Sequence, residues 1–91
     1  MTTIYKAVLD FRQADVLPIQ MPEGSEIMTI KSQYGIPTMW YLCDTEEPME
    51  TRKFRALTTG QDIPDDLEGD YINTVTMIQD QYVLHIFEIY D

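Results

Sequence analysis

Alternation with a period of two residues is the feature that most limits what this chain can become. Side chains along a strand point to opposite faces, so an apolar residue at every second position specifies a sheet and not a helix. From Thr3 to Leu9, Thr3, Tyr5, Ala7 and Leu9 alternate with Ile4, Lys6 and Val8. Ile27, Met28 and Ile30 open a run that ends at Tyr34-Gly35, where Gly35 and Pro37 mark a turn. Thr38 to Cys43 is aromatic and β-prone. Thr51 to Thr58 sets Phe54 and Ala56 on one face and Lys53 and Arg55 on the other. Tyr71–Ile78 and Gln81–Tyr90 read as two further strands, joined near Asp80 by a connection short enough for a hairpin. Met21-Pro22-Glu23-Gly24-Ser25 reads as a turn, and Gln13–Leu17 as one helical turn.

About six strands with short connections in 91 residues make one domain, residues 1–91. The expected class is all-β: a small antiparallel β-sandwich or partly open barrel with little or no helix. In the last strand Val83, His85, Phe87 and Ile89 share one face, and Tyr82, Leu84, Ile86 and Tyr90 the other. Both faces are apolar, so this strand is expected to be central and covered on each side. A twin subunit could supply the second cover, which makes a homodimer the expected assembly.

Charge restricts the partners. Six Lys and Arg stand against sixteen Asp and Glu, a formal charge of −10. That sign excludes direct nucleic-acid binding through a broad basic surface, and an acidic membrane surface would repel the chain. The start, Met-Thr-Thr-Ile-Tyr-Lys, lacks a basic region followed by an apolar run, and no stretch approaches the ~20 apolar residues of a membrane helix. With a single cysteine, Cys43, no internal disulfide can form, and a cytoplasmic location is the expectation.

No constellation of catalytic residues stands out. His85 is the lone imidazole, alternates with Val83 and Phe87, and so reads as a core histidine without a nucleophile or orienting acid. Cys43 precedes Asp44, whereas a reactive thiolate needs positive charge beside it. Neither acidic loop has the alternating ligands, central Gly and closing Glu of a calcium loop. The expectation is therefore a protein that is not an enzyme and carries no metal and no cofactor.

Binding candidates are clearer. Nine of the sixteen acids occupy two loops flanking one strand: Asp44, Glu46, Glu47 and Glu50, then Asp62, Asp65, Asp66, Glu68 and Asp70. They read as solvated loops or as a face for a basic partner. Arg52, Lys53 and Arg55 lie on the strand between and read as paired with these acids, or Arg55, with the hydroxyls of Thr58 and Thr59 before Gly60, as an anion site for phosphate. Trp40 and Tyr41 face opposite sides of their strand, which leaves one available for a partner or a stacked base.

The order of the pieces Ile4-Tyr5-Lys6, Ile19-Gln20-Met21-Pro22-Glu23-Gly24 and Gln33-Tyr34-Gly35-Ile36-Pro37 before Trp40 resembles a known family. Glu50-Thr51-Arg52-Lys53-Phe54-Arg55, Thr59-Gly60, Ile63-Pro64-Asp65-Asp66, Tyr71-Ile72 and His85-Ile86-Phe87-Glu88 continue the match. The family is one of small, mostly phage- and prophage-encoded proteins with a domain of unknown function. It implies a compact all-β protein expressed from a mobile element, and it supplies no catalytic residues. Three functions fit. One is a counter-defence binding protein that sequesters a nucleotide-like ligand (through Trp40, Tyr41, Arg52, Lys53, Arg55, Thr58 and Thr59) or occludes a host protein. Another is an acidic mimic of nucleic acid acting through the nine loop carboxylates, and the third is a minor virion component.

Overall fold

The computed structural model describes residues 1–77 and 83–90. Seven strands form two antiparallel sheets: β1 (Thr2–Val8), β2 (Val16–Pro22), β3 (Glu26–Gln33), β4 (Ile36–Asp44), β5 (Met49–Thr58), β6 (Gly69–Thr76) and β7 (Val83–Ile89). One sheet has the order β1-β4-β3 and the other β2-β5-β7-β6. The sheets face each other as a sandwich and do not close into a barrel. Phe54, Leu9, Met21, Ile30, Met39 and Ile86 fill the space between them, each almost completely buried.

Three expectations from sequence are corrected, two of them around β2. Gln13–Leu17 is not a helical turn: Gln13 closes a turn onto Asp10, and Val16 and Leu17 already belong to β2. β2 is also the strand that sequence reading missed, extending through Met21 and Pro22, so that the turn begins at Glu23. Pro18 and Pro22 hide it, because proline cannot donate to a ladder, yet an edge strand tolerates proline and β2 is an edge. The expected connection near Asp80, with Ile78, Gln81 and Tyr82, lies outside the described residues. Tyr34-Gly35 does turn the chain, both residues with positive φ, the geometry of a two-residue hairpin joining β3 to β4.

The route of the chain positions the site. β5 and β6 both run antiparallel to β7, which lies between them. The segment 59–68 must therefore cross the outer face of the four-stranded sheet from the Leu84 level back to the Ile89 level. Its end is fixed by the Tyr90 amide donating to the Glu68 carbonyl at 2.7 Å. At Gly69 a Cβ would stand 2.2 Å from the Glu88 carbonyl oxygen, so only glycine lets the crossing segment enter β6 against β7. β7 is central as expected, and this loop contributes the cover of its second face. Corrected too is the face of His85: Ile86 and Glu88 point into the core, and His85 points outward.

Candidate functional site

Strand alternation gives the arginines of β5 opposite surroundings. Arg52 points between the sheets. Its Nε donates to Glu88 Oε2 at 2.6 Å, its Nη2 to Glu88 Oε1 at 2.8 Å and its Nη1 to the Ser25 carbonyl at 2.6 Å. Glu88 is 4% exposed, so the pair is desolvated and depends on this two-pronged fit. The Glu88 carboxylate holds the Arg52 proton more tightly than usual, against the opposing effect of burial.

Arg55 points outward, opposite Phe87 in register. It lines a cavity of about 420 Å³ between the sheet and the crossing loop, with Pro64, Asp66, Leu67, Glu68, Ile89 and Tyr90. Its Nε is buried and has no hydrogen-bond partner among the described residues. No hydrogen bond joins Arg55 to the carboxylates of Asp66 or Glu68. Lys53, on the same face, lines a neighbouring cavity of about 630 Å³ with Glu50, Arg52, Glu68 and Glu88.

Farther along this face His85 is held at both nitrogens. Nε2 lies 2.8 Å from Thr59 Oγ1 and Nδ1 lies 2.9 Å from Thr74 Oγ1, which is itself 2.7 Å from the Tyr71 hydroxyl. The Thr58 amide and hydroxyl both donate to Gln61 Oε1, at 3.0 and 3.2 Å. The two threonine hydroxyls are thus bound to partners other than Arg55.

The acidic loops end up closer together than their separation in sequence suggests. The β2–β3 and β4–β5 turns lie side by side, the Glu23 amide donating to the Pro48 carbonyl at 2.8 Å. The Gly24 amide reaches Glu50 Oε2 at 3.3 Å. The crossing loop delivers Glu68 and Asp70 to the same end, where Tyr90 donates its hydroxyl proton to Asp70 at 2.9 Å and holds that proton above its ordinary range. Asp44 and Glu46 bind the Met1 ammonium there, at 3.1 and 3.0 Å. Glu47 is exposed on the same turn. Asp62 begins the crossing at the opposite end, and Asp65 and Asp66 lie midway.

The candidate ligand residues are therefore distributed. Lys53 and Arg55 share a face; Arg52 points to the inner side, partly buried, and Thr58 and Thr59 sit at the far end of β5. Trp40 and Tyr41 belong to β4 in the other sheet, where Tyr41 is buried against Tyr5 at a ring-centroid distance of 6.3 Å. Burial raises the Tyr41 hydroxyl above its usual range. Cys43 is buried in the core. Sequence reading missed two anchoring groups, Glu88 and Asn73. Asn73 donates to the Ile30 carbonyl at 2.7 Å and accepts from the Ile30 amide at 3.0 Å, which joins the β6 edge to the β3 edge. A carboxylate within the apolar run of β7 was the available signal for Glu88; a lone Asn in a strand gives none.

Among the described residues no three His, Cys, Asp or Glu side chains are placed to hold a metal ion, and no helix is long and apolar enough to cross a membrane. The family model described as Domain of unknown function (DUF7352) matches residues 1–91. No curated protein and no solved structure matches the chain.

Proposed function

The chain belongs to the DUF7352 family, and from that premise we propose that it is a non-enzymatic binding protein that covers a basic surface of a host protein. The acidic end of the sandwich is the docking surface. The observation that carries this reading is the convergence of Glu23, Glu46, Glu47, Glu50, Glu68 and Asp70 from three separate turns onto one end. Carboxylates gathered in this way imitate a run of phosphates and accelerate encounter with a cationic channel. The resemblance to phage and prophage proteins supports a counter-defence role in the host cytoplasm. Self-association has its own support: the outer edge of β1 carries no proline, unlike β2, and exposes Ile4 and Val8.

Two variants of equal net charge test the docking surface with an arginine-rich peptide as probe. Glu23→Gln/Glu46→Gln/Glu47→Gln removes three carboxylates from the acidic end, and Asp15→Asn/Asp62→Asn/Asp65→Asn removes three elsewhere. The first should weaken binding about ten-fold at low salt and the second no more than about two-fold, with the difference shrinking as salt rises. Equal losses in the two variants would show that net charge alone acts and would end the proposal.

A further inference from the structure

We infer that the cavity beneath the crossing loop is a nucleobase site that takes guanine, with Arg55 and Asp66 reading two adjoining edges of the ring. This goes beyond the acidic docking surface, which uses other residues. The starting point is the Arg55 Nε, buried without an acceptor among the described residues. A guanidinium cannot give up its proton, so Arg55 brings to the wall of this cavity a fixed positive charge whose donors are not all matched.

The lining selects the molecule. Pro64 and Leu67 from the loop, with Ile89 and Tyr90 from the sheet side, line the cavity with apolar surface that suits a flat body. Asp66 and Glu68 add two acceptors at the solvent side. Two carboxylates beside one guanidinium repel a free phosphate, and the guanidinium repels a cation. A neutral planar ring with acceptors on one edge and donors on the next matches Arg55 and the Asp66 carboxylate and leaves the exposed Glu68 to solvent. Guanine has this pattern: O6 and N7 accept from arginine, and N1–H with the N2 amino group gives two parallel donors to a carboxylate. Adenine and cytosine have a single amino donor beside an acceptor, so they leave one carboxylate oxygen unmatched. A cavity of about 420 Å³ admits the base with part of its sugar.

Calorimetry and thermal shift on the full chain, with guanosine, GMP, adenosine, cytidine and inorganic phosphate as probes, decide the matter. Guanosine and GMP should bind with similar affinity and raise Tm, with adenosine and cytidine at least about ten-fold weaker and phosphate inert. Arg55→Met should abolish the guanosine response while leaving the free protein at least as stable as wild type, because the buried unpaired N–H is gone. Should Arg55→Met fail to fold, Asp66→Asn, at an exposed position, supplies the same loss of guanine preference. Binding of GMP without guanosine, unchanged base preference in Asp66→Asn, or no response to any probe would each overturn the assignment. The Glu23→Gln/Glu46→Gln/Glu47→Gln variant should keep its guanosine response, so the two readings stand or fall separately.

Discussion

Arg52 and Arg55 lie three residues apart on one strand and are opposites in chemistry. The inner guanidinium makes three hydrogen bonds, two to Glu88 and one to the Ser25 carbonyl. The outer one has its Nε buried with no partner among the described residues, although two carboxylates line its cavity. The partner on the inside is supplied by the neighbouring strand: Glu88 is the diagonal neighbour of Arg52 across the β5–β7 ladder, within reach of a long side chain. On the outside the facing residue is Phe87, and the acids come from the crossing loop, across the cavity. A strand partner fixes an arginine in place, and a loop partner leaves it available. The first arrangement belongs to folding and the second to binding.

The sharpest way to break this contrast is to strip the inner arginine of its partner. Glu88→Ala leaves the Arg52 charge buried and unpaired, and should cost about 3–5 kcal/mol in urea denaturation. Replacing both, Arg52→Met with Glu88→Leu, should recover most of that loss, because packed apolar groups need no partner. A single substitution costing less than about 1 kcal/mol would mean that the inner pair behaves like an exposed one and that the contrast is false. Next in size is Asn73→Ala at the β3–β6 junction. It leaves the Ile30 amide and carbonyl without their partner and should cost about 2 kcal/mol, read from the same denaturation curves.

The strands that carried alternating side chains were legible because burial on one face writes itself into every second residue. Thr38–Cys43 and Thr51–Thr58 lie within β4 and β5, each of which begins two residues earlier, and the opposed directions of Phe54 and Arg55 hold. β2 was not, because Pro18 and Pro22 signal a loop wherever the position of a strand within its sheet is unknown. His85 was placed on the wrong face for a related reason: both faces of β7 are apolar, one covered by the opposite sheet and the other by the crossing loop. Which cover is which depends on topology, and no local pattern encodes it. The same crossing carries Glu68 and Asp70 to the end that holds Glu50, which is why loops separated by a ten-residue strand share one acidic end.

The smallest effect comes from the most exposed pair and sharpens the contrast from the other side. The Met1 ammonium binds Glu46 and Asp44 at the surface, and these hydrogen bonds hold its pKa above the ordinary 8.0. A raised value in the folded state contributes stability that is complete below the unfolded pKa and is lost as pH rises through the folded one. Asp44 shifts the opposite way: the Glu46 amide, and then the ammonium, hold its carboxyl below the ordinary 3.8. Its contribution is present above that ordinary value and disappears as pH falls through the folded one. The pair should therefore give a plateau between the carboxylate range and about pH 8, with a slight fall in Tm on each side that salt erases. Acetylating the amino terminus should remove the alkaline fall and leave the buried Arg52–Glu88 pair untouched, since a guanidinium does not titrate there. An alkaline fall that survives acetylation would have to come from a group other than Met1, and the surface pair would then contribute nothing measurable.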